Sequence, residues 1–115
     1  MIADVSSLPP EEIADLGIAA WQKMVSYDPA SDLRRIRVPF LAILGGKDED
    51  TPSAPTAKNQ AKNLKAAGNR DVTIKIFPGV YHSLCYGRNE NDPGFDTFAD
   101  GYFNTLAEWL KAHLR

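Results

Sequence analysis

With 115 residues the chain has the length of one domain, 1–115, rather than two. Hydrophobic residues make up 43% and charged residues 24%, which suits a water-soluble chain with a core; the net charge of -2 gives no electrostatic reason to expect nucleic acid or an anionic membrane as a partner. No run approaches the ~18 apolar residues of a membrane span, and MIADVSSLPPEE lacks the basic-then-apolar pattern of a signal peptide, so a cytoplasmic location is expected.

Residues 9–27 read as a helix. Pro9 and Pro10 fall in its first turn, where missing N–H groups cost nothing, and Glu11 and Glu12 complement the positive end of the helix dipole. Ile13, Leu16, Ala20, Trp21 and Met24 recur at helical spacing and form one apolar face. Asp28-Pro29 disfavours continuation, and a short helical turn over 32–36 follows. The run VPFLAIL at 38–44 is continuous and apolar, as in a parallel strand buried on both faces. After the polar loop GGKDEDTPSAP comes a helix over 56–67, closed by Gly68-Asn69. VTIKIF at 72–77 alternates, which predicts a strand nearer the sheet edge with one face wet. Residues 78–96, rich in Gly, Asn, Asp and Pro, read as a loop. Residues 97–114 read as a final amphipathic helix with Phe98, Tyr102, Leu106, Trp109 and Leu110 inward, weakened by about 1 kcal/mol at Gly101. Strand, helix, strand predicts a right-handed parallel crossover, and ligands of such sheets bind beyond the carboxyl ends of the strands.

Two chemistry-bearing residues fall in that position. Asp48 follows the first strand and His82 the second. A carboxylate beside an imidazole holds the ring's tautomer and stabilises the imidazolium formed in general-base catalysis. Alone, Asp48 reads more readily as part of a solvated acidic turn, and His82 as a structural or surface histidine. The loop lacks the further ligands and the glycine of an EF-hand, so calcium is not expected. His113, in the last helical turn, suits the negative end of the dipole. A nucleophile is harder to find. Ser6, Ser7, Ser26, Ser31, Ser53 and Ser83 all stand outside a G-x-S-x-G elbow. Cys85, which has no second cysteine for a disulfide, lies in the His82 loop without a local signature of thiolate catalysis. Gly45-Gly46-Lys47 falls short of a P-loop.

YDPASDLRRIRVPFLAILGGKDEDTP, AAGNRDVTIKIFPGVYHSL and the terminal LAEWLKAHL, taken in order, resemble the C-terminal part of an α/β-hydrolase over residues 27–115. The likeness is to serine hydrolases of the esterase and prolyl-oligopeptidase-like kind, with G-x-x-D after one strand and P-G-x-x-H after the next. The chain departs from that pattern at Thr51, where an aliphatic residue usually precedes the proline. The resemblance implies an α/β fold: a partial α/β-hydrolase with a parallel strand–helix–strand unit between N- and C-terminal helices. It implies Asp48 as triad acid and His82 as triad base, with the nucleophile and oxyanion hole of such enzymes placed before residue 1. No cofactor or metal is implied. The expected function is the acid/base-bearing part of an ester or peptide hydrolase, inactive alone and partnered by a complementary N-terminal half. The alternative is a non-catalytic module, a homo-oligomer burying the free edge of the 38–44 strand. A small independent enzyme using Cys85 or water is a third reading.

Overall fold

The computed structural model describes residues 8–114. In chain order it contains helix α1 (Pro10–Ser26), the single turn α2 (Ala30–Leu33), strand β1 (Phe40–Gly45), helix α3 (Ser53–Ala66), strand β2 (Val72–Phe77) and helix α4 (Tyr102–His113). β1 and β2 pair in parallel from Phe40 opposite Val72 to Gly45 opposite Phe77, with α3 as the crossover packed on both. This is the α/β fold expected from the strand–helix–strand pattern.

Local chemistry accounts for the boundaries. The Oδ1 of Asp28 accepts a hydrogen bond from the Ala30 amide at 2.9 Å, so the α2 turn starts earlier than 32–36. α3 begins at Ser53 and not near residue 56, because Pro55 falls in the first turn, where its missing N–H breaks no helical bond. At the other end the Asn69 amide reaches Leu64 and the Gly68 amide reaches Lys65, a Schellman closure. Side chains then stitch the approach to β1 onto the end of α3. Asn69 Nδ2 donates to the carbonyls of Ile36 and Val38, Arg37 donates to that of Ala67, and Arg34 donates to the buried Asn63.

The last helix is shorter than 97–114. Phe98 is drawn into an antiparallel bridge with Cys85, and Ala99 donates to the Leu84 carbonyl at 2.8 Å. The chain turns into α4 only at Gly101, which caps the helix with φ 83°, a conformation that costs a glycine little. Gly101 therefore starts the helix and does not weaken its interior. Of the expected inner face, Tyr102, Leu106 and Trp109 are half-buried, while Phe98 and Leu110 are exposed.

Burial is thinner than the sequence predicts. In β1 only Ala42 and Gly45 are buried, because among the described residues β2 is its sole strand neighbour. No residue of α1 is buried, so its apolar face meets solvent. The radius of gyration is 18.4 Å, against about 13 Å for a compact domain of this length. The small core of Phe77, Val80 and Ala99, flanked by Ile43, Leu84 and Tyr102, lies at the carboxyl end of the sheet.

That core fixes how two loops cross. The Gly46 amide donates to the Phe77 carbonyl and the Lys47 amide to that of Val80, both at 2.8 Å. A Cβ on Gly45 would lie 2.3 Å from the carbonyl oxygen of Tyr81 and 2.9 Å from that of Val80. Backbone cannot yield as a flexible side chain does. Gly45→Ala is therefore expected to lower stability in urea unfolding by about 1–3 kcal/mol or more, and an unchanged midpoint would refute the tight crossing.

Candidate functional site

The crossing places two side chains opposite each other. Asp48 sits in the turn after β1, where its amide donates to the Gly45 carbonyl. Its Oδ1 accepts from the amides of Asp50 at 2.9 Å and Thr51 at 2.8 Å. Oδ2 meets His82 Nδ1 at 2.8 Å. The Asp48 side chain is only 5% exposed, unlike its exposed neighbours Glu49 and Asp50, so it is not part of a freely solvated acidic turn. The Thr51 departure leaves the loop intact because the contact made there is through the Thr51 amide, which any residue but proline carries.

His82 is carried on a tight turn. Tyr81 and Cys85 bond amide to carbonyl at 2.9 Å, Leu84 donates back to Tyr81, and Leu84 itself takes φ 64°, a strained value for a branched side chain. The Cys85–Phe98 bridge anchors this turn from below. The imidazole is 61% exposed, and its Nε2 has no hydrogen-bond partner among the described residues.

An ionised carboxylate only accepts, so Nδ1 must donate, and the neutral ring then keeps its lone pair on Nε2. Burial is the largest single influence on Asp48 and would raise its pKa. The Thr51 amide, His82 and the Asp50 amide together outweigh it and hold the carboxyl below its ordinary 3.8. For His82 the hydrogen bond that Nδ1 donates to Asp48, then the charge of Asp48, raises the pKa above 6.5 against desolvation, and Asp50 adds to the rise.

Sequence reasoning missed two further contacts, of which the first braces the site. Arg88 donates to Glu49 at 2.8 Å, linking the His82 loop to the Asp48 loop, and its guanidinium lies 5.4 Å from the Tyr81 ring centre. Both ends of the ion pair are more than half exposed, so it contributes little stability. The second contact is at His113, whose Nδ1 donates to the Trp109 carbonyl at 2.7 Å and whose Nε2 donates to Asp71 at 3.0 Å. Donating from both nitrogens requires the imidazolium. The Trp109 carbonyl first, then Asp71, raises its pKa. His113 thus ties α4 to the segment before β2, beyond the dipole role its position suggested.

The other candidates stay apart from His82. Cys85 is 4% exposed, and its thiol faces the Ser83 carbonyl at 3.7 Å. Asp48, Asp50 and His82 present donor atoms within 4.8 Å of one another. Both Asp48 oxygens already accept hydrogen bonds, Oδ1 from the two loop amides and Oδ2 from His82. A cleft of about 100 Å³ lined by Glu49, Asp50, Tyr81, His82 and Arg88 opens beside the imidazole. A larger one of about 530 Å³, lined by residues such as Pro29, Leu33, Thr51 and Gln60, includes neither Asp48 nor His82. No helix of the described residues is long and apolar enough to cross a membrane.

The pair fixes a pH response. His82, raised in the folded state, contributes stability in full below 6.5 and loses it as pH rises through the folded midpoint; Asp48, lowered, contributes in full above 3.8 and loses it as pH falls. The pair therefore stabilises the fold fully between those values. In an NMR titration His82 is expected to titrate above 6.5 and to move back towards it in Asp48→Asn; a midpoint indifferent to that substitution would show the ring free of Asp48.

Residues 16–114 match the dienelactone hydrolase family. The chain is 33% identical over 89 residues to Esterase EstD of Thermotoga maritima, an alignment that covers 75% of this chain and 20% of that esterase. The chain thus spans about a fifth of the relative's length. No solved structure matches. With its parallel strand–helix–strand unit and a family match over most of its length, the chain belongs to the dienelactone hydrolase family, an α/β-hydrolase family.

Proposed function

We propose that Asp48 and His82 are the acid and base of an acyl-hydrolase relay. The chain is then the acid/base-bearing part of a serine hydrolase acting on ester or peptide bonds, in the esterase to prolyl-oligopeptidase-like range. The observation that carries this reading is the His82 Nδ1–Asp48 contact of 2.8 Å combined with an unbonded Nε2 on a 61% exposed ring. In that role Nε2 takes the proton of a serine hydroxyl as the oxygen attacks the acyl carbon. It then returns the proton to the leaving group, while Asp48 stabilises the imidazolium between the two events. The resulting acyl-enzyme is hydrolysed by water, which His82 deprotonates in turn before handing that proton to the departing serine oxygen. The serine and the amides of the oxyanion hole come from a complementary N-terminal half of a hydrolase, seated along the free edge of β1.

A second reading is supported by that edge alone. β1 pairs with β2 on one side only among the described residues, and Val38 is 66% exposed beside it, as in a module that oligomerises by strand pairing.

Assay of an activated ester separates the two. The pure chain is expected to show no turnover above buffer. Addition of a family N-terminal segment bearing G-x-S-x-G is expected to give turnover that His82→Ala abolishes and Asp48→Asn reduces by about 10⁴-fold. Turnover indifferent to His82→Ala would rule the relay out.

A further inference from the structure

The seventeen-residue helix α1 buries none of its residues, with Ile13, Leu16, Trp21 and Met24 exposed by 40%, 52%, 60% and 68%. In proteins most helical stability comes from packing an apolar face rather than from propensity. At about 100° per residue, Ile13, Gly17, Ala20 and Met24 fall in one narrow central stripe. Trp21 lies on one flank of that stripe. Leu16, Glu12 and Lys23 lie together on the other.

Gly17 is the second observation. A glycine inside a helix costs about 1 kcal/mol relative to alanine, and a Cβ placed there would meet nothing within 4 Å in this chain. No contact within the described residues accounts for it. Close approach of another backbone would account for it.

We infer that α1 is a self-association surface whose partner is the α1 helix of a second copy, paired antiparallel about a twofold axis near residue 18. That arrangement sets Ile13 against Met24 and Gly17 against Ala20 of the other copy, so the two smallest residues of the stripe meet where the helices come closest. An antiparallel twofold also brings like flanks together. Glu12 of each copy then faces Lys23 of the other, twice over by symmetry. A parallel pair would instead bring each Glu12 against the neutral flank of Ala14 and Trp21. The charge placement therefore selects the antiparallel pair. The surface is independent of the hydrolase reading.

Sedimentation equilibrium of the full chain at high micromolar concentration is expected to show a dimer. Glu12→Lys and Lys23→Glu should each weaken it by roughly tenfold, because each sets like charges together at both ends of the helix pair. An equimolar mixture of the two variants should recover dimerisation, as a heterodimer in native mass spectrometry. Gly17→Leu should weaken the dimer while raising helicity in circular dichroism, two changes that a purely local role for Gly17 would not combine. A monomeric wild-type chain would overturn the inference. So would a mixture that associates no better than its components, or a dimer that survives these variants and is lost with Leu41→Pro at the β1 edge.

Discussion

The site depends on how closely the backbone leaving β1 passes under the backbone leaving β2. Gly45 lies against the carbonyls of Tyr81 and Val80 with no room for a Cβ, and the amides of Gly46 and Lys47 are bonded across the same gap. That crossing sets the distance between the two loops before any side chain is considered. Asp48 then has its Oδ1 tied down by two amides of its own turn, which leaves Oδ2 aimed at a fixed point. His82, on a turn anchored through Cys85 and Phe98, occupies that point. Positioning therefore comes from backbone and the chemistry from two side chains, an economical way to hold a carboxylate–imidazole pair in a chain with so small a core.

Among the described residues, apolar surface is left uncovered at the β1 edge and along α1, and the two differ in character. The β1 edge carries unpaired backbone donors and acceptors, which suit another strand. The α1 face carries side chains, a glycine and opposed charges, which suit another helix. In the proposed function a complementary hydrolase half covers the first. The second lies partly outside the family match, which begins at residue 16, inside α1.

Much of this was legible in the sequence where local signals act alone. The 72–77 strand is found where its alternation placed it, Gly68-Asn69 closes the preceding helix, and G-x-x-D and P-G-x-x-H put Asp48 and His82 at adjacent strand ends. What escaped depends on contacts distant along the chain. Phe98 has helical spacing with Tyr102 and Leu106 but is captured by Cys85, which moves the start of α4 to Tyr102. His113 suited a helix end, yet its second nitrogen finds Asp71, forty-two residues away in sequence. The VPFLAIL run read as buried on both faces because hydropathy records what a strand requires, not which neighbours are present. Glu49–Arg88 had no sequence signal, since a single pair of opposite charges in two loops carries none.

The central claim is that Asp48 fixes the His82 ring with its basic nitrogen outward. Nitrogen-15 chemical shifts of the imidazole, measured above its titration midpoint, read that directly. The account predicts a proton on Nδ1 and a bare lone pair on Nε2, reverting to a mixture of tautomers in Asp48→Ala. A neutral ring protonated on Nε2 in the unsubstituted chain would contradict it, because that nitrogen could accept no proton from a nucleophile.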